Sequence, residues 1–173
     1  MKSYTMKKVQ GIPNWSEHAV LPMDTLLWTD FTDVTAQAQV CYDDENFYLR
    51  LEAVEPHIRM ENKDTDLLAE VCEDSCLEFF FCPYPDDSRY FNIEFNPNCC
   101  LYLGMGSGVH DLVRLLPETK DLLKPVAART EDGWEITYQV PVSFVRQFFP
   151  EFAPAPGKTI RGNFYKCGDL TVQ

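Results

Sequence analysis

Arg89-Tyr-Phe-Asn-Ile-Glu-Phe-Asn-Pro-Asn98, RYFNIEFNPN, is the stretch on which the fold turns. Read as a β-strand, it sends successive side chains to opposite faces, so Phe91, Ile93 and Phe95 share one side and Asn92, Glu94 and Asn96 the other. The first side is core. The second carries a row of amides and a carboxylate, where a solvated strand more often shows Thr, Lys and Ser. Such a row can hold several directed hydrogen bonds at once.

The same alternation recurs on both sides of this segment. Upstream, LEFFFC from Leu77 is joined to it by the turn Pro83-Tyr-Pro-Asp-Asp-Ser88, which predicts a hairpin. Glu78 lies out of phase with Leu77, Phe79 and Phe81, so it shares the outer face with Asn92, Glu94 and Asn96. Downstream, Leu101 to Leu103 reads as a further short strand, ended by Gly104-Met-Gly-Ser-Gly108. Earlier in the chain, VTAQAQVC (34–41) and FYLRLEAV (47–54) alternate around the acidic turn Asp43-Asp44-Glu45-Asn46 and give another hairpin. A third pairs Pro125 to Arg129 with Trp134 to Val140 around Thr130-Glu-Asp-Gly133, with Trp134, Ile136, Tyr138 and Val140 facing inward.

Residues 55–75 read as a long surface loop with a helical turn near Thr65 to Glu70. No element is assigned between Val109 and Lys124. Pro141 to Phe149 gives one short helix, near residues 142–149, stopped by Pro150. TIRGNFYKC (159–167) is a last strand, in which Asn163 and Tyr165 share a face with Arg161. Many short strands, regular turn signals and little helix predict an all-β fold, an antiparallel β-sandwich forming a single domain over 1–173.

Composition narrows the function. The formal net charge of −12 opposes binding to nucleic-acid phosphates or to anionic membranes, and suits a neutral or weakly cationic ligand. No run approaches the roughly 18 apolar residues of a membrane-spanning helix. The N-terminal lysines have no apolar segment behind them, so the chain is read as cytoplasmic. Seven cysteines, an odd set with some inside apolar strand patterns, read as reduced thiols.

If the strands neighbour one another in one sheet, Glu78, Asn92, Glu94, Asn163 and Tyr165 converge on one polar surface, with Asn96 at its end. Amides and carboxylates bridge neighbouring sugar hydroxyls, and aromatic rings cover the apolar face of a sugar. The plain alternative is the ordinary wet face of a sheet. A second alternative makes Glu78 and Glu94 a glycosidase pair, which needs carboxyl groups about 5 to 9.5 Å apart across the bond to be cut and one raised pKa. On an open, amide-rich face both carboxylates are expected to stay ionised, which argues against catalysis. A third is a protein-interaction scaffold that uses exposed Phe80 and Tyr90 as its adhesive patch. Cys72 and Cys76 lack the usual paired zinc spacing, so no metal ligands are assigned. The acidic turns at 43–45 and 86–87 match no EF-hand, though exposed acidic turns can hold calcium.

The ordered segments AQAQVCYDDENFYLRLEAVEP, EDSCLEFFFCP, YFNIEFNPN, DGWEITYQVPVSFV and RGNFYKCGD resemble the family 9 carbohydrate-binding modules, from about Trp28 onward. The resemblance implies a β-sandwich that binds sugars, with calcium a structural ion in some members and glycoside hydrolases as common companions. It matches Glu78 to the family's sugar-binding acid, Asn92 and Glu94 to polar strand positions, and Asn163 to the amide of the late strand. It also implies a pair of tryptophans sandwiching the ligand. The first position holds Cys72 here, and the second belongs to a segment after the late strand, past Gln173. Trp15 and Trp28 do not match either position, and Trp134 reads as core.

Overall fold

The computed structural model describes residues 2–27 and 33–171. Its strands are β1 (Lys7–Lys8), β2 (Leu21–Pro22), β3 (Thr35–Tyr42), β4 (Asn46–Val54), β5 (Cys76–Cys82), β6 (Tyr90–Phe95), β7 (Leu101–Gly106), β8 (Val113–Arg114), β9 (Val126–Arg129), β10 (Gly133–Pro141) and β11 (Arg161–Cys167), with a single α-helical turn, α1 (Val142–Val145), after β10. They form two sheets. The first runs β1-β3-β4-β10-β9, with β2 also on β3, and the second runs β11-β5-β6-β7-β8. All pairings are antiparallel except that of β1 with β3.

The two inner faces meet in one core. Leu49, Leu51, Trp134, Ile136 and Val140 come from the first sheet, and Leu77, Phe79, Phe81, Phe91, Ile93, Phe95 and Leu103 from the second. Phe144, Phe149 and Phe152 close one end. Burying each of these side chains stabilises the fold by about 1.5–3 kcal/mol, so the phase of every strand is fixed: a slip of one residue would turn its apolar set outward.

The three predicted hairpins are present: β3/β4, β5/β6 and β9/β10. In the first turn the Asp43 carboxylate accepts from the backbone N–H of Glu45 and Asn46. Four details differ from the reading of the sequence. The helix near 142–149 is α-helical only over Val142–Val145 and continues as hydrogen-bonded turns. The helical turn in the long loop is a 3-10 turn at Val71–Glu73, while 65–70 holds simple turns. β7 does not end at Gly104 but runs through it to Gly106. Both glycines serve close approach: a Cβ on Gly104 would stand 2.8 Å from the Tyr102 ring of the same strand, and one on Gly106 2.6 Å from the carbonyl oxygen of Asp111 in the following turn. Finally, the parallel β1–β3 edge was not foreseen.

Two buried polar knots hold the elements around the later site. At one, the Glu55 carboxylate accepts from Trp134 Nε1 at 3.0 Å and pairs with Lys166 Nζ at 2.6 Å, tying the end of β11 to the first sheet. At the other, Asp74 accepts from the N–H of Glu61 and Asn62 and from Asn96 Nδ2 at 2.9 Å, which folds the long loop onto the end of β6.

Candidate functional site

The outer face of the second sheet is where the predicted residues fall. Register places Tyr165, Glu78, Glu94 and Tyr102 in one row across four strands, and Asn163, Phe80, Asn92 and Gly104 in the next. Glu78 and Glu94 are directly opposite each other, and Asn92 Nδ2 donates to Glu94 Oε1 at 2.8 Å. Thus Glu78, Asn92 and Glu94 share the outer face.

They are not open to water, however. Glu78 is 7 %, Asn92 4 % and Glu94 8 % exposed. Several groups crowd them. Tyr102 and Tyr165 stand on either side of the carboxyl pair, and Phe80 packs edge-to-face on Tyr165 with ring centres 5.1 Å apart and contacts Tyr90 at 5.6 Å. Arg114 lies over the Tyr102 ring at 4.7 Å and donates to the Ala69 carbonyl. Cys72 lies near enough to feel the charges of Glu94, Asp169 and Glu78. The tail after β11 is laced to the Val71–Glu73 turn, with Asp169 N–H donating to the Cys72 carbonyl at 2.8 Å and Leu170 N–H to that of Glu73.

This burial overturns the expectation that both carboxylates stay ionised. Burial, and after it the facing Glu94, push Glu78 up to about 8. Burial likewise pushes Glu94 up to about 7, against the hydrogen bond from Asn92 and the attraction of Arg114. Two facing carboxyl groups in a dry setting hold a proton between them more readily than two negative charges, so the pair titrates as a unit. In the protonated form it offers a donor as well as acceptors. The Asn92 Oδ1 is buried and has no partner among the described residues, and an acceptor left so costs about 1–3 kcal/mol.

The remaining predicted residues fall differently. Tyr165 flanks the pair, half-buried. Asn163 is exposed on the edge strand, where its side-chain oxygen accepts from Phe164 N–H. Asn96 shares the phase of Glu94 but is fully buried, its amide nitrogen donating to Asn62 O and Asp74 and its oxygen accepting from Asn98 and Cys100 N–H. The structure therefore separates Asn96 from the Glu78, Asn92 and Glu94 cluster: it is a fastening of the loop. Trp134 is buried core, as read, and Trp15 lies by the first sheet, where its carbonyl accepts from Gln39. Trp28 lies outside the described residues.

Reading the strands one by one missed Tyr102, Arg114 and Cys76. Tyr102 was accessible, since it alternates with Leu101 and Leu103 as Glu94 does with Ile93 and Phe95. Cys76 shares the face of Glu78 two residues on. A separate depression of about 530 Å³, lined by Val54, Pro56, Ile58, Arg129 and Glu131, has none of these residues in its wall.

A two-sheet antiparallel sandwich with an acid–amide cluster, flanked by aromatic rings on one outer face, is the build of a small-ligand binding module. The family model for carbohydrate-binding family 9 matches residues 12–173, and the chain belongs to that family. Among solved structures it is similar to a candidate carbohydrate-binding protein from Bacteroides uniformis, with 24 % identity, TM-score 0.76, and coverage of 96 % of this chain and 84 % of the other. It also resembles a family 9 carbohydrate-binding module from Caldicellulosiruptor kristjanssonii. The complex with cellotriose gives 13 % identity, TM-score 0.66 and coverage of 94 % and 75 %. The complex with glucose gives 14 % identity, TM-score 0.61 and coverage of 94 % and 74 %. At these identities the likeness is one of fold. No curated protein sequence matches the chain.

Proposed function

We propose that this carbohydrate-binding family 9 chain holds a saccharide, without cutting it, in the pocket formed by Glu78, Asn92 and Glu94 and rimmed by Phe80, Tyr102 and Tyr165. The observation that carries the reading is the buried Glu78/Glu94 pair beside the unpartnered Asn92 Oδ1. Together they present donors and acceptors at spacings that vicinal hydroxyls can meet. The half-exposed rings of Phe80, Tyr90 and Tyr165 supply a face for the sugar's C–H groups. Asn163 on the edge strand is the outermost polar contact. The related modules solved with cellotriose and glucose make β-linked glucosides the first ligands to try.

The raised carboxyl pKa values by themselves would suit a glycosidase acid. Geometry speaks against it. Glu78 and Glu94 project side by side from one sheet, with carboxylate oxygens within 4.8 Å, so they approach a ligand from the same side. A hydrolase needs its two carboxyls on either side of the scissile bond. In this reading the chain serves glycan breakdown by holding sugar for a separate hydrolase, and its seven free thiols suit a reducing, cytoplasmic setting.

The test is calorimetric titration with glucose, cellotriose and a wider panel of mono- and oligosaccharides. Saturable binding is expected, and Glu78→Ala should weaken it by about 10- to 100-fold, the worth of a hydrogen bond to an acid group. Product release that Glu94→Gln abolishes would instead establish a hydrolase. Absence of binding to every sugar would leave Phe80 and Tyr90 as a protein-contact patch.

A further inference from the structure

The floor of the pocket contains a third ligand atom that the saccharide reading does not use. Cys76 lies two residues before Glu78 on β5 and therefore on the same face. Its Sγ, one carboxylate oxygen of Glu78 and one of Glu94 all lie within 4.8 Å of one another, and all three residues are buried. A sulfur and two oxygens bound tetrahedrally to one ion would sit about 3.3–3.6 Å apart, so small side-chain rotations close the set.

Two further observations point to a cation at this cluster. Among the described residues no ion pair reaches Glu78 or Glu94. Arg114 acts on Glu94 through space, while its Nη2 donates to Ala69 O, its guanidinium lies over the Tyr102 ring, and its buried Nε has no partner among the described residues. On the same face the Asn92 Oδ1, on a side chain 4 % exposed, has no donor opposite it among the described residues. Its amide nitrogen already holds Glu94 in place at 2.8 Å, the kind of outer contact that orients a metal-binding carboxylate. Glu78 and Glu94 both keep a sliver of exposure, which leaves a route in.

We propose that Cys76, Glu78 and Glu94 form a binding site for a borderline-soft divalent cation of the zinc class, with a fourth position facing the mouth of the pocket. Donor chemistry selects the ion. A thiolate with two carboxylates fits zinc, whereas calcium takes six to eight oxygens and magnesium an octahedron of them. The fourth position falls to water. This inference goes beyond saccharide binding and is tested with no sugar present, so the two readings stand or fall separately.

The experiment uses the full chain, reduced and stripped with a chelator, titrated with Co²⁺ and then Zn²⁺. One equivalent of Co²⁺ is expected, with the thiolate-to-cobalt charge-transfer band and the intense visible bands of a tetrahedral site, both bleached by one equivalent of Zn²⁺. Cys76→Ser should remove the charge-transfer band and weaken Zn²⁺ binding by at least about 10-fold. Glu78→Gln should weaken it while leaving the band, and Cys41→Ser, on the other sheet, should change neither. If Cys76→Ser does not fold by circular dichroism, Glu78→Gln and Glu94→Gln carry the test, since both are near-isosteric. A band that survives Cys76→Ser, or an affinity indifferent to both glutamate variants, would overturn the proposal, because the ion would then sit on other cysteines.

Discussion

Among the described residues glutamate faces glutamate across paired strands twice, and the two sheets treat the pair in opposite ways. On the first sheet Glu52 of β4 is opposite Glu135 of β10, and on the second Glu94 of β6 is opposite Glu78 of β5. The surroundings correspond position by position. Two residues before Glu52 stands Arg50, whose guanidinium reaches Glu52 at 3.3 Å and Glu135 at 2.5 Å. Two residues before Glu94 stands Asn92, which is neutral and reaches Glu94 alone. The residues facing these are Thr137 and Phe80. The first pair is bridged and half-open to water, a stable and idle arrangement. The second is roofed over by the long loop and the tail, with no cation bridging it among the described residues. Two carboxylates at that spacing in a dry setting do not both ionise cheaply, so the second pair shares a proton where the first is held by an arginine.

The largest expected effect comes from giving the second sheet the solution used by the first. Asn92→Arg should bridge Glu78 and Glu94 as Arg50 bridges its pair, lower both pKa values and reduce saccharide affinity by about 100-fold, the loss of two hydrogen bonds to acid groups. Calorimetry checks the affinity and carboxyl chemical shifts the ionisation. Undiminished binding would break the comparison at its root.

Next is Glu78→Gln. Because the folded pKa values, about 8 and about 7, lie above the ordinary glutamate value of 4.5, the native state binds protons more tightly than the unfolded chain. The stability that this pair contributes should therefore be fully present below about pH 4.5 and be lost as pH rises through 7 to 8. Removing one charge of the pair should flatten that slope. In chelator-treated samples, urea denaturation at pH 8.5 should show the variant more stable by about 1–3 kcal/mol, and at pH 4.5 no more stable than wild type.

Arg50→Asn is the reverse graft. It leaves Glu52 and Glu135 unbridged, and at neutral pH should cost about 1 kcal/mol, less in high salt because the site is partly solvated. Thermal melts at low and high salt will show the penalty and its screening. Gly104→Ala is the mildest. Its Cβ would meet the Tyr102 ring at 2.8 Å and push that flexible ring aside, for about 0.5 kcal/mol of stability. A several-fold fall in saccharide affinity would mark Tyr102 as a wall of the pocket, and an unchanged one would limit the wall to Phe80 and Tyr165.

The fold was legible because strand alternation is a local property. Phe91, Ile93 and Phe95 have to face the core together, so Asn92 and Glu94 have to face away, whatever lies beyond. Phase alone, however, treats Asn96 like Glu94, and only the loop contacts of Asp74 and Asn62 show that its amide is used up in structure. Gly104 read as a strand end because glycine usually interrupts strands, whereas here it makes room for a ring on its own face.

The sequence by itself determined which side of each strand is apolar, and hence a two-layer sandwich with Glu78, Asn92 and Glu94 outside its core. Tertiary structure alone decided that this outer side is roofed over, that Cys76 lies beside the two acids, and that among the described residues no arginine bridges them as Arg50 bridges Glu52 and Glu135. The reason is physical: facing is set by neighbours two residues apart, but the dielectric around a carboxylate is set by whichever distant segments pack over it, here residues 57–75 and 167–171.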